Sequence, residues 1–551
     1  MLSVLTTATA ALAATVVAAS AAATAPPTMA LPALPTTSMA AGERARISAV
    51  VRDLLGNFQY KDEIPGFTIG IWSPRDGVYR ASFGQANIES AARPELGSSF
   101  RIGSVSKTFT ATVILQLVDE GKLSLDGTVR AYVPSLARKY PAIGSRTLAQ
   151  LLGMRSGLPA YADAAVKVQS RAPQRVWTAD QLIALGMRSG PVKPAGARKS
   201  VYTNTNYVVL GQVAQAVTGT PFAQLVRQRL LDPLRLRHTV YPAPTDTRLP
   251  APFTHGYVGP SGAEEIKGLG GVTEAGADVT NWNPSWGNAA GMMISTIDDL
   301  ARWGNGMFGN VLLSQKLQRQ RLTTTPMNDT WRYGLGVLTL TGGRWTGHEG
   351  GIPGYTTWAL RDAKTGTVIV TSVNACCGGA PGSLTFDLLG KLYPETLVVG
   401  PPLKGGETYV LSPTTSFTPP SGWTIDTAKT VEGISLTAVK PGVVFGVSDA
   451  LSIPEGRTFE SWASLIRDAD AASPGTTVSA LKPFTTTSGQ AGFTWTSRSL
   501  AESRESWMVT NGKKIAKLDS YGSASAVQLV SAELDRMARS ITITAPVVRH
   551  G

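Results

Sequence analysis

Phe100-Arg101-Ile102-Gly103-Ser104-Val105-Ser106-Lys107-Thr108-Phe109-Thr110 is the stretch on which the reading of this chain turns. Ser104 and Lys107 stand three apart where a helix is expected to begin. Positions i and i+3 of a helix share a face, so the lysine ammonium falls beside the serine hydroxyl. The unsatisfied N–H groups of a first helical turn favour negative charge developing there. One turn of chain can thus supply a nucleophile, a proton acceptor and part of an oxyanion site. From Thr108 to Val118 the chain carries no charge, and Asp119-Glu120-Gly121-Lys122 follows. A helix apolar all round is a buried helix, and Gly121 suits its C-terminal stop.

A Ser-x-x-Lys pair alone is a weak sign, and the chain holds a second, Ser479-Ala480-Leu481-Lys482. There Pro483 disfavours helix at the lysine, so that pair reads as structural. Ser104 taken singly also reads as a plain helix N-cap. Two further motifs weigh against this. Tyr202-Thr203-Asn204 lies in a polar loop opening an apolar helix, Tyr207 to Gly211, and His348-Glu349-Gly350 follows a short run of expected strand. A serine hydroxyl needs an adjacent base, and Lys107 and Tyr202 are the candidates. A neighbouring cation lowers a tyrosine pKa, so Lys107 is expected to favour the Tyr202 phenolate. Asn204, able to donate and accept, could hold Lys107 and a substrate amide, or cap its helix. His348 could bond Tyr202 or bind a substrate carboxylate. Gly350 and Gly351 lack Cβ and let the backbone approach a ligand. Glu349 reads as solvent-facing or structural rather than as a second acid.

Ser-x-x-Lys, Tyr-x-Asn and His-x-Gly, in that order, resemble the three active-site motifs of the serine β-lactamase and D-alanyl-D-alanine carboxypeptidase superfamily. The flanks are similar too: Leu115 to Leu125, Ser156-Gly157-Leu158, Ala290-Gly291 before Ser295-Thr296, and Trp331 to Gly336 as a strand before the third motif. The resemblance covers residues 45 to 395. It implies Ser104 as nucleophile, with Lys107 and Tyr202 as its catalytic partners and Tyr202 as the base for leaving group and deacylating water. It implies substrate contacts from Asn204, His348 and Gly350, and an oxyanion hole from the N–H groups of Ser104 and Gly351. The third motif departs from the Lys-Thr-Gly of many β-lactamases. A histidine there resembles certain carboxypeptidases, D-aminopeptidases and esterases. Tyr-x-Asn in place of Ser-Asp-Asn makes a separate glutamate base unexpected.

The expected activity is that of an exported serine hydrolase working through an acyl-enzyme, with a D-alanyl-D-alanine carboxypeptidase as first reading. A β-lactamase or a carboxylesterase would use the same site, on β-lactams or esters in place of peptidoglycan stem peptides. A non-catalytic penicillin- or wall-binding protein would have no need of Ser104, Lys107 and Tyr202 together. No Gly-x-Ser-x-Gly elbow is present. Of the four histidines, His238 and His255 read as surface or packing residues, and no spaced Cys/His set suggests zinc. No metal or cofactor is expected. The net charge of +13 has no long Lys/Arg block behind it, so nucleic acid is not an expected partner. The charge serves solubility or association with anionic wall polymers.

Early and late strands around a helical middle predict an α+β fold: one antiparallel sheet flanked by helices, plus a helical subdomain. Residues 1–42 read as an export signal and a Pro/Ala/Thr linker, too weakly apolar for a stable transmembrane helix. The hydrolase domain is expected over 43–397, a Pro/Gly-rich linker over 398–422, and a smaller α+β accessory domain over 423–551. Within it, Glu460 to Asp470 reads as helix, and Gly492 to Ser497 and Trp507 to Leu518 as strands. Cys376 and Cys377, the only cysteines, are adjacent. Either a vicinal disulfide or two thiols fits.

Overall fold

The computed structural model describes residues 33–376 apart from 57, 310, 329–330 and 341–343, and then 379–393, 396, 409–412, 415–418, 423–426, 436–440, 443–447, 451–453, 456–471, 476–498, 503–512, 514–522 and 524–543. The export signal and Cys377 lie outside the described residues. Cys376 is disulfide-bonded.

An eight-stranded antiparallel sheet runs in the order Gly77–Gly84, Gly66–Ser73, Val368–Val373, Tyr355–Asp362, Trp345–Ile352, Leu338–Leu340, Trp331–Tyr333, Thr325–Pro326. Its central strands are covered on both faces, so Gly66–Ser73 and Val368–Val373 are buried at every position. On one face Phe67, Ile69, Ile71 and Ile369 meet Ile47, Val50, Val51 and Leu54 of helix Ala41–Gly56, with Leu384 and Leu388 of helix Gly379–Leu392. The i, i+3, i+4, i+7 spacing of those four helical residues is the apolar stripe that a sheet-covering helix needs. Their burial contributes about 6–12 kcal/mol before entropy is counted.

The other face carries the larger core. There helix Ser106–Asp119 is buried at every position from Ser106 to Leu115. Trp303 stacks on Phe109 at 3.9 Å and donates from Nε1 to Thr108 Oγ1 at 2.7 Å. The helix's other threonines are satisfied as well: Thr110 Oγ1 donates to Ala289 O at 2.6 Å and Thr112 Oγ1 to Thr108 O at 2.7 Å. A polar residue tolerated in a core must be bonded, and these are. Helices between Val129 and Leu234, including Thr205–Thr218, form the helical part.

The C-terminal residues build a nine-stranded sheet with helices Phe459–Ala471 and Ala524–Arg539, around cores of their own. Three expectations need correction. Residues 409–412 and 415–417, expected as linker, pair with each other, and Thr415 and Ser416 pair in turn with Ile543 and Thr542. Thr37–Met39, also expected as linker, bond to Val78 on the sheet edge. Trp507 to Leu518 is a hairpin of Ser503–Thr510 and Lys514–Gly522, turning at Asn511-Gly512. Among the described residues no helix is long and apolar enough to cross a membrane.

Candidate active site

Ser104 sits in a single 3-10 turn, Gly103–Val105, that runs into helix Ser106–Asp119. Gly103 has φ +45°, and a Cβ there would come within 2.9 Å of Gly351 N and 2.8 Å of Gly350 C. Only glycine meets both demands. Ser106 Oγ donates to Gly103 O at 2.7 Å and accepts from Met293 N at 3.2 Å, which pins the turn from inside. Lys107 then reaches back as the i+3 spacing requires: its Nζ is 2.7 Å from Ser104 Oγ and 2.8 Å from Ala290 O.

Lys107 is fully buried, and no carboxylate is bonded to it among the described residues. Burial therefore pushes its ammonium well below the ordinary lysine range, with Glu349 acting weakly the other way. Tyr202 moves in the opposite direction. Burial raises its phenol well above the usual value, the Ser104 hydroxyl opposes, and Glu349, Tyr207 and Tyr161 add to the rise. The expected Tyr202 phenolate is thus corrected: the resting site holds a neutral phenol and a lysine shifted towards the free amine. The geometry gives a second reason. Lys107 Nζ lies 4.8 Å from the centre of the Tyr202 ring and is bonded to Ser104 Oγ and Ala290 O rather than to the Tyr202 oxygen.

Two polar atoms in this cleft are buried with no hydrogen-bond partner within 3.5 Å among the described residues, Tyr202 Oη and Asn204 Oδ1, although the Ser104 hydroxyl is near enough to act on the first. Asn204 neither holds Lys107 nor caps helix Thr205–Thr218, although it occupies the N-cap place. Unpaired buried polar atoms are costly, and here both border the nucleophile.

His348 also departs from expectation. It lies on strand Trp345–Ile352 and is fully buried. Its ring is 6.1 Å from that of Tyr202, and its Nε2 is bonded instead to Tyr333 Oη at 3.0 Å. Nδ1 is 2.5 Å from Glu349 O. Burial and Lys107 lower His348 to about 3, so the ring is neutral and carries one N–H. A carbonyl only accepts, which places that proton on Nδ1 and makes Tyr333 the donor to Nε2. Tyr333, Tyr207 and Arg321 form the layer beneath. Tyr207 Oη donates to Leu152 O at 3.0 Å, and buried Arg321, lowered to about 10 by desolvation, donates to Thr108 O at 3.3 Å. Sequence reasoning missed these three. Tyr333 stood within the flagged Trp331 to Gly336 stretch, but nothing there marked its partner. Tyr333→Phe is expected to destabilise the fold by about 1–3 kcal/mol by leaving His348 Nε2 without a donor, measured by denaturant unfolding.

Gly350 and Gly351 play different parts. Gly350 is buried, and a Cβ on it would overlap Ile102 O and come within 2.9 Å of Ser104 N. Its missing side chain lets the strand lie on the nucleophile turn. Gly351 is exposed, and the nearest atom to its Cβ position is Cys376 Sγ at 3.9 Å. The Ser104 and Gly351 amides therefore meet at one junction. Glu349 lies between, exposed, in a recess ringed by protein. Loss of water raises its carboxyl above the usual carboxylate range, with Lys107 opposing only in part.

A family model described as Beta-lactamase matches residues 49–376. The D-alanyl-D-alanine-carboxypeptidase/endopeptidase AmpH of Escherichia coli (strain K12) is 25% identical over 225 residues, which are 40% of this chain and 57% of that protein. The chain thus spans little more than half the length of this relative. A D-stereospecific amidohydrolase from Streptomyces sp. is 29% identical with a TM-score of 0.54, the match covering 63% of this chain and 99% of that one. A D-amino acid amidase from Ochrobactrum anthropi SV3 is 25% identical with a TM-score of 0.54, covering 63% and 97%.

Proposed function

The chain belongs to the beta-lactamase family, and we propose that it is a serine hydrolase that cleaves amides of D-amino acids through an acyl-enzyme on Ser104. The observation that carries this is the 2.7 Å approach of a buried Lys107 Nζ to Ser104 Oγ. A lysine shifted towards the free amine can take the serine proton as the hydroxyl attacks the carbonyl. The N–H groups of Ser104 and Gly351 receive the oxyanion. Tyr202, a neutral phenol, gives its proton to the leaving amine and regains one relayed from Lys107. Water then reverses the sequence and frees the acid. The unpartnered Asn204 Oδ1 is suited to a substrate N–H.

The likeness to the two D-specific amidases, nearly complete over their chains, supports the amide substrate. The likeness to AmpH favours a second reading, a D-alanyl-D-alanine carboxypeptidase. The apolar start of the chain supports an extracytoplasmic place for either.

Intact mass and fragment mapping after incubation with a penicillin, beside D-phenylalanine methyl ester, test this. We expect an acyl group on the Ser104 fragment with the ester. A long-lived penicillin adduct would favour the carboxypeptidase, and penicillin consumed without adduct a β-lactamase. Modification elsewhere, or neither adduct nor turnover with either compound, would overturn the acyl-enzyme.

A further inference from the structure

The Glu349 carboxylate has no place in the chemistry above. It is exposed between buried His348 and buried Gly350. No cation pairs with it among the described residues. Yet its electrostatic neighbours are the reacting groups: Lys107 and Tyr202 both respond to its charge. Its backbone is held fast, because Glu349 O accepts from His348 Nδ1 and its residue pairs with Trp358 on the next strand. The following residue, Gly350, lies against the Ser104 amide. Along a strand each residue advances about 3.3 Å, so the Glu349 side chain starts one step from the oxyanion junction. An unpaired carboxyl beside that junction acts, when ionised, on the charge of whatever substrate lies there.

We propose that Glu349 selects substrates by charge, receiving the free α-ammonium of the D-residue whose carbonyl Ser104 attacks and turning away substrates that present a carboxylate there. This rests on the serine-hydrolase reading. Opposite charges favour each other in a partly dry cleft far more than in water. The reading separates the amide and carboxypeptidase substrates on chemical grounds. An amino-acid amide offers a cation and no carboxylate. A chain-terminal dipeptide with a blocked amine offers only the carboxylate.

The test compares kcat/KM for D-phenylalanine 4-nitroanilide, its N-acetyl derivative and its N-succinyl derivative. These share a leaving group and differ in the charge near the acyl carbon: positive, neutral, negative. The wild-type protein is expected to prefer the free amine over the N-acetyl compound at least tenfold, and the N-succinyl compound least. In Glu349→Gln the amine-to-acetyl ratio is expected to fall at least fivefold. In Glu349→Lys the order should invert in favour of N-succinyl. The ratio is taken within each variant, so any general loss of activity cancels. An unchanged ratio in both variants, or equal losses on all three compounds, would overturn selection by charge and leave Glu349 in the chemistry or the scaffold. A wild-type protein that neither forms a Ser104 acyl group with the methyl ester nor hydrolyses it overturns the hydrolase reading itself, and this proposal with it.

Discussion

Ser104→Ala is expected to abolish the acyl adduct and lower turnover by about 10⁴-fold or more, and Lys107→Met to do nearly the same. The two act as one unit: the hydroxyl is a poor nucleophile without the amine 2.7 Å away, and the amine has nothing to activate without the hydroxyl. Their losses should therefore not add, and the double variant should be no worse than either single. Single-turnover acylation with an activated D-amino acid ester measures this; additive losses would show that the two residues serve separate steps. Stability should split the pair. Lys107 is buried with its ammonium disfavoured, so in the folded state it holds its proton less tightly than at the ordinary value of 10.5. Between the lowered folded value and 10.5 the unfolded chain binds more protons, so stability rises with pH through that window. Below the folded value the full penalty stands. Lys107→Met removes it. The variant should be more stable than wild type at neutral pH, by about 1–4 kcal/mol, and the gain should shrink as pH approaches 10.5. Ser104→Ala should show no such gain. Greater stability on loss of the catalytic amine is the pattern of a site kept at a cost to the fold.

Much of this site was legible because it is local. The Ser-x-x-Lys spacing sets the Lys107–Ser104 contact by helix geometry alone. The charge-free run after Lys107 announced a buried helix, and Ser106–Asp119 is one. The three motifs converge because the sheet brings strand Trp345–Ile352 against the nucleophile turn. What was not legible depends on burial, which no short motif contains. Whether Lys107 or Tyr202 is the shifted group is decided by desolvation, and the sequence argument considered only their mutual charge. His348 was read as bonding Tyr202 or a substrate carboxylate, but on its strand it shares a buried face with Gly350, and its Nε2 is bonded to Tyr333. Composition misled at 398–422, where the flanking prolines hid Tyr409–Ser412 and Thr415–Phe417. Asn511-Gly512 was a readable hairpin signal that went unread within an otherwise strand-like run.

Gly350→Ala should be the most disruptive single-methyl change near the site, with a loss of about 3 kcal/mol in stability and about 10²–10³-fold in acylation. The atoms its Cβ would meet are Ile102 O, Ile102 C and Ser104 N, all backbone. No side chain can swing aside, so either the nucleophile turn or the strand must move. The strand is not free to shift, because Gly350 pairs with Thr357 and its neighbours pair in register along Tyr355–Asp362. The turn is held by the two hydrogen bonds of Ser106 Oγ. Whichever yields, the Ser104 and Gly351 amides are pushed apart, and a single misplaced oxyanion donor costs about 3 kcal/mol of transition-state stabilisation. Gly351→Ala supplies the comparison. It adds the same methyl one residue along, into a position whose nearest neighbour is Cys376 Sγ at an ordinary 3.9 Å. Its effect on unfolding should stay within about 0.5 kcal/mol. Denaturant unfolding of the two variants side by side decides the matter. Equal losses would mean that the strand preference of the added methyl, not the close contact, governs this segment. A large loss at Gly350 alone would mean that the close contact of two backbones is what holds the nucleophile and the oxyanion donors at one junction.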